Sequence, residues 1–120
     1  MTRSNSKEIA NKWMEAFNAH DLEKLLSLYH ENAIHYSPKL LVRQPETKGL
    51  IQGKSALHNW WKDAFERLPT LQYTPLKFIS ETNCIFMEYL RKVEGENELK
   101  VGEVLEINEG LIIASRVYHG

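Results

Sequence analysis

The chain has 120 residues, a net charge of −1 and 42% apolar residues, which fits a single globular domain spanning 1–120 with one core. Because 15 basic side chains nearly balance 16 acidic ones, the composition gives no long-range attraction to nucleic acid or to an anionic membrane. Cys84 is the only cysteine, so an internal disulfide is excluded. With no apolar signal segment near the N-terminus, we expect a cytoplasmic protein.

Two helices are predicted in the first thirty residues. The first shows apolar side chains at helical spacing, namely Ile9, Trp13 and Phe17, and Ser4 or Ser6 can cap it. Asp21 is a suitable cap for the second. The apolar side of that second helix consists of Leu22, Leu25, Leu26 and Tyr29.

A short strand is predicted over 33–37, followed by an irregular loop over 38–53 that contains two prolines and two glycines. The clearest helix comes next and ends at Pro69. Its apolar residues fall at i, i+3, i+4, i+7, i+8 and i+11, and they are Leu57, Trp60, Trp61, Ala64, Phe65 and Leu68.

The remainder of the chain predicts four strands, over 71–80, 83–94, 98–107 and 111–119. Pro75 indicates an edge position or a bulge in the first of these strands. Helices therefore precede strands, an order that predicts an α+β fold with a mostly antiparallel sheet and helices on one face.

Glu103 is the residue in this sheet that breaks the pattern. Alternation along the strand places it on the apolar face, between Val101 and Leu105. A three-residue loop over 108–110 pairs Ile107 with Leu111 and sets Glu103 opposite Ser115.

A similar loop over 95–97 pairs Glu94 with Glu98 and sets Tyr89 opposite Glu103. The face that contains Glu103 then also contains Ile85, Met87, Tyr89, Arg91, Val93, Leu111, Ile113, Ser115, Val117 and His119.

A carboxylate on an apolar face needs either a partner or a raised pKa. Arg91, a diagonal neighbour, is one candidate for an ion pair with Glu103. In the other arrangement the helices stand off the sheet and leave a cavity, which Glu103 faces with Tyr89 as its hydrogen-bond partner. Either His35 or Tyr36 points inward, since neighbouring strand residues face opposite ways.

Three stretches carry a family resemblance: WMEAFNAHDLEKLLSLYHENAIHYSP at 13–38, GKSALHNWW at 53–61 and GEVLEINEGLIIASRVYHG at 102–120. They resemble the NTF2-like superfamily, in its SnoaL-like and ketosteroid-isomerase-like branch. The resemblance implies a curved sheet wrapped around the N-terminal helices. Sheet and helices together form a cone with a deep apolar pocket. Many members are dimers, and the branch includes isomerases, polyketide cyclases and epoxide hydrolases.

Only some of the catalytic positions of these enzymes have a matching residue in this chain. In ketosteroid isomerases a helix tyrosine and a strand acid form the oxyanion hole; Glu103 matches the acid, but Trp13 stands at the tyrosine and Ser37 at the general base. At the positions of the Arg and two Asp of the epoxide hydrolases the chain has Tyr89, Arg91 and Val117. The cyclases use an acid assisted by histidine, a role open to Glu103 with His119 or His35.

Together these patterns predict a pocket for a small, largely apolar molecule, in a homodimer and without a metal or organic cofactor. The predicted catalytic residues are Glu103, Tyr89 and His119. The predicted ligand-binding residues are Trp13, Phe17, Ser37, Trp60, Met87, Arg91, Leu105, Ser115 and Val117. Two hypotheses stay open: an isomerase or cyclase in which Glu103 is the general acid–base and Tyr89 or Trp13 donates to an oxyanion, and a non-catalytic binding or dimerisation module.

Overall fold

A computed structural model describes residues 6–119 of the chain. Within these residues, four α-helices and six strands occur in an α+β order that confirms the predicted fold class. The helices are α1 Ser6–Asn18, α2 Leu22–Ser27, α3 Pro38–Arg43 and α4 Lys54–Arg67, with a 3₁₀ turn at Pro45–Thr47. The strands are β1 Tyr29–Tyr36, β2 Leu50–Gln52, β3 Gln72–Glu81, β4 Cys84–Lys92, β5 Leu99–Asn108 and β6 Leu111–His119.

The strands form one curved, open sheet in the order β2-β1-β6-β5-β4-β3. The β1–β6 pair is parallel and the other pairs are antiparallel. Helices α1 and α4 cover the inner face, where buried apolar residues of helix and sheet form one core. The core includes Trp13 from α1, Trp61 from α4, and Ile85 and Leu105 from the sheet.

Local signals placed most of the helix ends correctly. The Asp21 carboxylate accepts a hydrogen bond from the Lys24 backbone N–H at 3.0 Å and so caps α2 as predicted. Ser6 begins α1, but its hydroxyl donates to the Glu81 carbonyl oxygen at 2.7 Å. The alternative cap, Ser4, lies outside the described residues.

Two predictions in the first half of the chain were wrong. Tyr29 begins β1, because the second helix already ends at Ser27, and the strand starts four residues before the predicted one. Segment 38–53 is not an irregular loop, since it contains α3, the 3₁₀ turn and β2. Ser37 accepts a hydrogen bond from the Lys39 N–H at 3.2 Å, and Pro38 fits the first helical turn, so α3 forms over too few residues to show a periodic pattern.

Both predicted hairpin registers were also wrong. Asn108 pairs with Leu111 across a two-residue turn in which Glu109 and Gly110 both have positive φ, and a bulge after Glu106 shifts the pairing further. As a result Glu103 lies opposite Val117 and Leu105 lies opposite Ser115.

The two-residue turn pairs Ile112 with Ile107 and so turns Ile112 inward in place of Leu111 and Ile113, and the bulge then returns Ser115 to the inner face. In the other hairpin Glu103 pairs with Met87, and Tyr89 pairs with Val101. That shift is two residues, so the predicted face of Glu103 is retained.

Strand β3 is an edge strand, and α1 holds it at both ends. The Asn18 side chain accepts a hydrogen bond from the Tyr73 N–H at 2.7 Å and donates one to the Tyr73 carbonyl oxygen at 2.9 Å. Ser6 makes the bond to Glu81 at the other end. Pro75 lies next to a bulge on this strand, which confirms both positions predicted for it.

Candidate functional site

A cavity of about 360 Å³ lies between the inner face of the sheet and the helices α1, α3 and α4. This volume falls at the lower end of the range for small-molecule pockets, about 300–1,000 Å³. Its deep walls come from residues that are almost fully buried, such as Trp13 and Tyr89, whereas Val42 at its opening is 81% exposed.

Glu103 lies at the buried end of this cavity and is 1% exposed. Its Oε1 atom accepts a hydrogen bond from the Tyr89 hydroxyl at 2.7 Å. Its Oε2 atom is buried and has no partner among the described residues. Burial raises the pKa of Glu103 to about 8, although the hydrogen bond from Tyr89 acts in the opposite direction. At pH 7 the carboxyl is therefore mostly protonated.

Arg91 does not pair with Glu103, so the first of the two alternatives for this carboxylate is excluded. The Arg91 Nη1 atom instead donates to Glu96 Oε1 at 2.8 Å, nearer the opening. The second alternative describes the observed geometry, with Tyr89 as the partner of Glu103 and a cavity beside them.

Four aromatic rings form a continuous wall beside Glu103. The Tyr73 ring stacks on Phe17 and on Tyr89, each with a centroid distance of 4.1 Å, and Trp13 stacks on Phe17 at 5.2 Å. Burial, and then the nearby Glu103 carboxylate, raise the pKa of both tyrosines, so they stay protonated at neutral pH.

A second hydrogen-bonded chain crosses from α1 to the sheet. The Trp13 Nε1–H donates to the Tyr29 hydroxyl at 3.0 Å, and Tyr29 donates to Ser115 Oγ at 3.2 Å. Ser115 Oγ lies 2.6 Å from His35 Nδ1. This contact completes a hydrogen-bonded chain that runs from Trp13 on α1 to His35 on β1.

His35 is thus the inward member of the His35–Tyr36 pair, at 3% exposure, and it lines the cavity. Burial lowers the pKa of His35 to about 4, so the ring is neutral at pH 7. The Trp13 indole N–H already donates to the Tyr29 hydroxyl, so it has no further hydrogen bond to offer an oxyanion.

His119 is the second residue with an unsatisfied buried atom at this site. Its Nε2 atom is buried without a partner in the described part of the chain, and the residue lines the cavity. His119 pairs with Val101 and Glu103 with Val117, so the two are diagonal neighbours on one face of the β5–β6 ladder. Both unsatisfied atoms of the described residues thus belong to one cavity wall.

Comparison with known proteins gives the family. The model of the SnoaL-like domain matches residues 10–115. The chain belongs to the SnoaL-like domain family. A search of curated proteins gave no significant match.

Solved structures share the fold of this SnoaL-like domain at low sequence identity. A SnoaL-like protein of unknown function from Burkholderia thailandensis is 21% identical, with a TM-score of 0.86 over 95% of this chain and 92% of that one. A candidate ketosteroid isomerase from Kribbella flavida is 17% identical, with a TM-score of 0.77 over 93% and 75% of the two chains. A candidate polyketide cyclase from Sinorhizobium meliloti is 15% identical, with a TM-score of 0.78 over 92% and 94%.

The SnoaL-like domain brings most of the predicted site residues to the cavity. Those that line it are Glu103, Tyr89, His119, Trp13, Phe17, Ser37, Trp60, Arg91 and Val117. Met87, Leu105 and Ser115 are fully buried in the core and do not contribute to the lining. Ser37, at the position of the isomerase base, caps α3 with its hydroxyl.

Sequence reasoning missed several cavity residues of this SnoaL-like domain. Tyr73 was not singled out, although it precedes Pro75 by two residues in a strand pattern that the bulge interrupts. Lys39 and Arg43 fall in the segment taken for a loop, and Arg67 lies at the end of α4. Only the fold brings these basic residues together, so no local pattern marks them.

Within residues 6–119, no three His, Cys, Asp or Glu side chains are grouped as a metal site requires. None of the helices in this range has the length and apolar character needed to span a bilayer.

Proposed function

We propose that this protein binds a small, largely apolar carbonyl compound in the cavity and catalyses proton transfer on it, with Glu103 as the acid–base group that protonates and deprotonates the carbonyl oxygen. The observation that carries the proposal is the Glu103 carboxyl: one oxygen is fixed by Tyr89, and the other is buried without a partner at an apolar cavity. A strongly perturbed carboxyl in a pocket is a common property of acid–base sites.

The hydrogen bonds of the site assign a role to each group. The Tyr89 hydroxyl and the Trp13 indole N–H already donate hydrogen bonds within the protein. The donor for a substrate carbonyl oxygen is therefore the protonated Glu103 itself, through Oε2. Such a neutral acid stabilises an enolate by a short, strong hydrogen bond in a site with little water. Tyr89 holds the carboxyl in one orientation.

His119 is the candidate for the complementary base. Its Nε2 atom has no partner in residues 6–119 and lies on the same face as Glu103. An imidazole nitrogen with a free lone pair can accept a proton from the α-carbon while Glu103 donates to the carbonyl oxygen. This division of roles fits isomerisation or aldol-type cyclisation, and both reactions begin with an enol or enolate.

Exchange of α-protons tests this proposal without the natural substrate. A panel of small cyclic ketones in D₂O is followed by NMR, and we expect the protein to accelerate deuterium incorporation. Glu103→Gln should abolish the acceleration while leaving ketone binding intact. The same replacement at the outward-facing Glu88 is the control. If exchange is equally fast with Glu103→Gln, Glu103 is not the acid–base.

The second candidate function is a non-catalytic ligand-binding module. It is favoured by the single carboxyl, Glu103, at the buried end of the cavity and by the helix-capping role of Ser37, which leaves no second acid at the position of the isomerase base. Binding of the ketones with no exchange above the buffer rate would support this module over the enzyme.

We also propose a cytoplasmic homodimer. The outer face of the sheet supports an interface, because Tyr118 is 50% exposed there next to Gly102 and the Phe86 ring. Light scattering of the purified chain should give twice the mass of 14.0 kDa; a monomer at the concentrations used for assays would exclude the dimer.

A further inference from the structure

The opening of the cavity is rich in positive charge. Four basic residues line it, namely Lys39 and Arg43 on α3, Arg67 at the end of α4 and Arg91 on β4, whereas Glu96 is the acidic residue beside them. Three of the four basic residues, Lys39, Arg43 and Arg67, are exposed and therefore lie at the rim, whereas Arg91 is 8% exposed and lies further in.

The acidic partners of this opening do not balance its positive charge. Asp63 contacts both Arg67, at 2.7 Å, and Arg43, at 3.8 Å. Glu96 contacts Arg91. No described acidic side chain lies within ion-pair distance of the Lys39 ammonium group. Two carboxylates thus face four cations.

The surroundings of Lys39 also favour the binding of an anion. Partial burial and repulsion from Arg91 lower the pKa of Lys39, with a smaller contribution from Arg67 and an opposing one from Glu96. A ligand anion placed between Lys39 and Arg91 would relieve this repulsion.

We propose that the opening is a binding subsite for a carboxylate, and that the ligand is an amphipathic monocarboxylic acid whose apolar body fills the cavity. The inference rests on the proposed function, since it names the substrate class of the same cavity. Lys39 supplies the free cation and Arg91 the second donor, in an arrangement that suits the planar, two-oxygen head of a carboxylate.

The interior of the cavity fixes the orientation of this ligand. Aromatic rings of Trp13, Phe17 and Tyr73 form the wall beside Glu103, so a carboxylate placed there would lose its hydration without gaining a cation. At the opening the same group finds two cations and water. The reacting carbonyl then reaches Glu103 while the acid group stays near Lys39.

A matched pair of ligands tests the subsite: 3-cyclohexylpropanoate and its primary amide, which have the same shape and differ in charge. All three tryptophans of the chain line the cavity, so quenching of their fluorescence reports occupancy, with calorimetry as the second readout. We expect the acid to bind about tenfold tighter than the amide, the size of one charge-assisted hydrogen bond, and this preference should shrink as salt is added.

Lys39→Gln should reduce the acid preference to threefold or less without changing the affinity for the amide. The control is Lys62→Gln, which removes the same charge from the exposed face of α4, where Lys62 pairs with Glu66. Both side chains are exposed, so neither variant should lower the thermal midpoint.

The outcomes separate the two proposals. Equal affinity for acid and amide, or an unchanged preference in Lys39→Gln, overturns the carboxylate subsite and leaves the apolar pocket standing. Tighter binding of 3-cyclohexylpropyl phosphate than of the acid also overturns it, in favour of a phosphate ester. If neither matched ligand binds and the ketone panel also fails, the pocket function itself is wrong.

Discussion

Replacing Glu103 by glutamine tests whether the protein holds this carboxyl in its neutral form. The ordinary pKa of the side chain is 4.5, and burial raises the pKa in the folded protein to about 8. Below pH 4.5 both states carry the proton. Between these two values the unfolded chain ionises while the folded protein does not, so stability falls as the pH rises.

The size of the effect follows from the shift. Each pH unit within this window costs about 1.4 kcal/mol of stability. The buried His35 has the opposite slope, because burial lowers its pKa from 6.5 to about 4 and stability is lost as the pH falls through that range. Above pH 6.5 less than about 0.5 kcal/mol of the His35 contribution remains, so from pH 6.5 to 8 the Glu103 slope dominates and should lower the stability by about 1–2 kcal/mol.

Urea unfolding at half-unit steps from pH 6.5 to 8.5, followed by tryptophan fluorescence, measures this slope. Glu103→Gln has an amide that does not ionise, so its stability should stay level where that of the natural chain falls. Glu88→Gln, on the outer face of β4, should retain the natural slope. Parallel curves for the natural chain and Glu103→Gln would show that Glu103 ionises with an ordinary pKa and would remove the basis of the proposed acid–base role.

Three further changes have defined outcomes. Tyr89→Phe removes the hydrogen bond that lowers the pKa of Glu103, so the alkaline limit of α-proton exchange should move to higher pH; an unmoved profile would mean that Tyr89 does not orient this carboxyl. Gly102→Val places a Cβ 2.8 Å from the Phe86 ring and should cost about 1–3 kcal/mol in urea unfolding, whereas an unchanged midpoint would show that the ring moves freely. Asp21→Ala removes the α2 cap and should cost about 1 kcal/mol; the same loss in Asp21→Asn would point to charge in place of capping.

The inward position of Glu103 was predictable because strand alternation does not depend on the partner strand. The β4–β5 register slipped by two residues, and an even slip leaves every side chain on its face. The residues opposite Glu103 were not predictable, since they depend on turn length: the Glu109–Gly110 turn has two residues where three were expected, and a bulge follows. Ile112 therefore lies in the core in place of its neighbours.

The basic residues at the opening of the cavity were not predictable from the sequence, for a different reason. Lys39 and Arg91 are 52 positions apart, and only the packing of α3 against the sheet brings both to the same cavity. Segment 38–53 lacks the apolar repeat of a long helix, because α3 has six residues and β2 has three. Short elements of this kind are held by tertiary contacts, which no local window contains.

The hydrogen bonds between α1 and β3 also affect how copies of this protein can associate. Asn18 occupies the backbone amide and carbonyl of Tyr73 that an incoming strand would use, and Pro75, two residues further on, has no amide hydrogen to offer. A helix side chain thus acts as a surrogate neighbouring strand. Two successive edge positions of β3 are therefore unavailable to a strand from another copy, which disfavours sheet extension across this part of the edge.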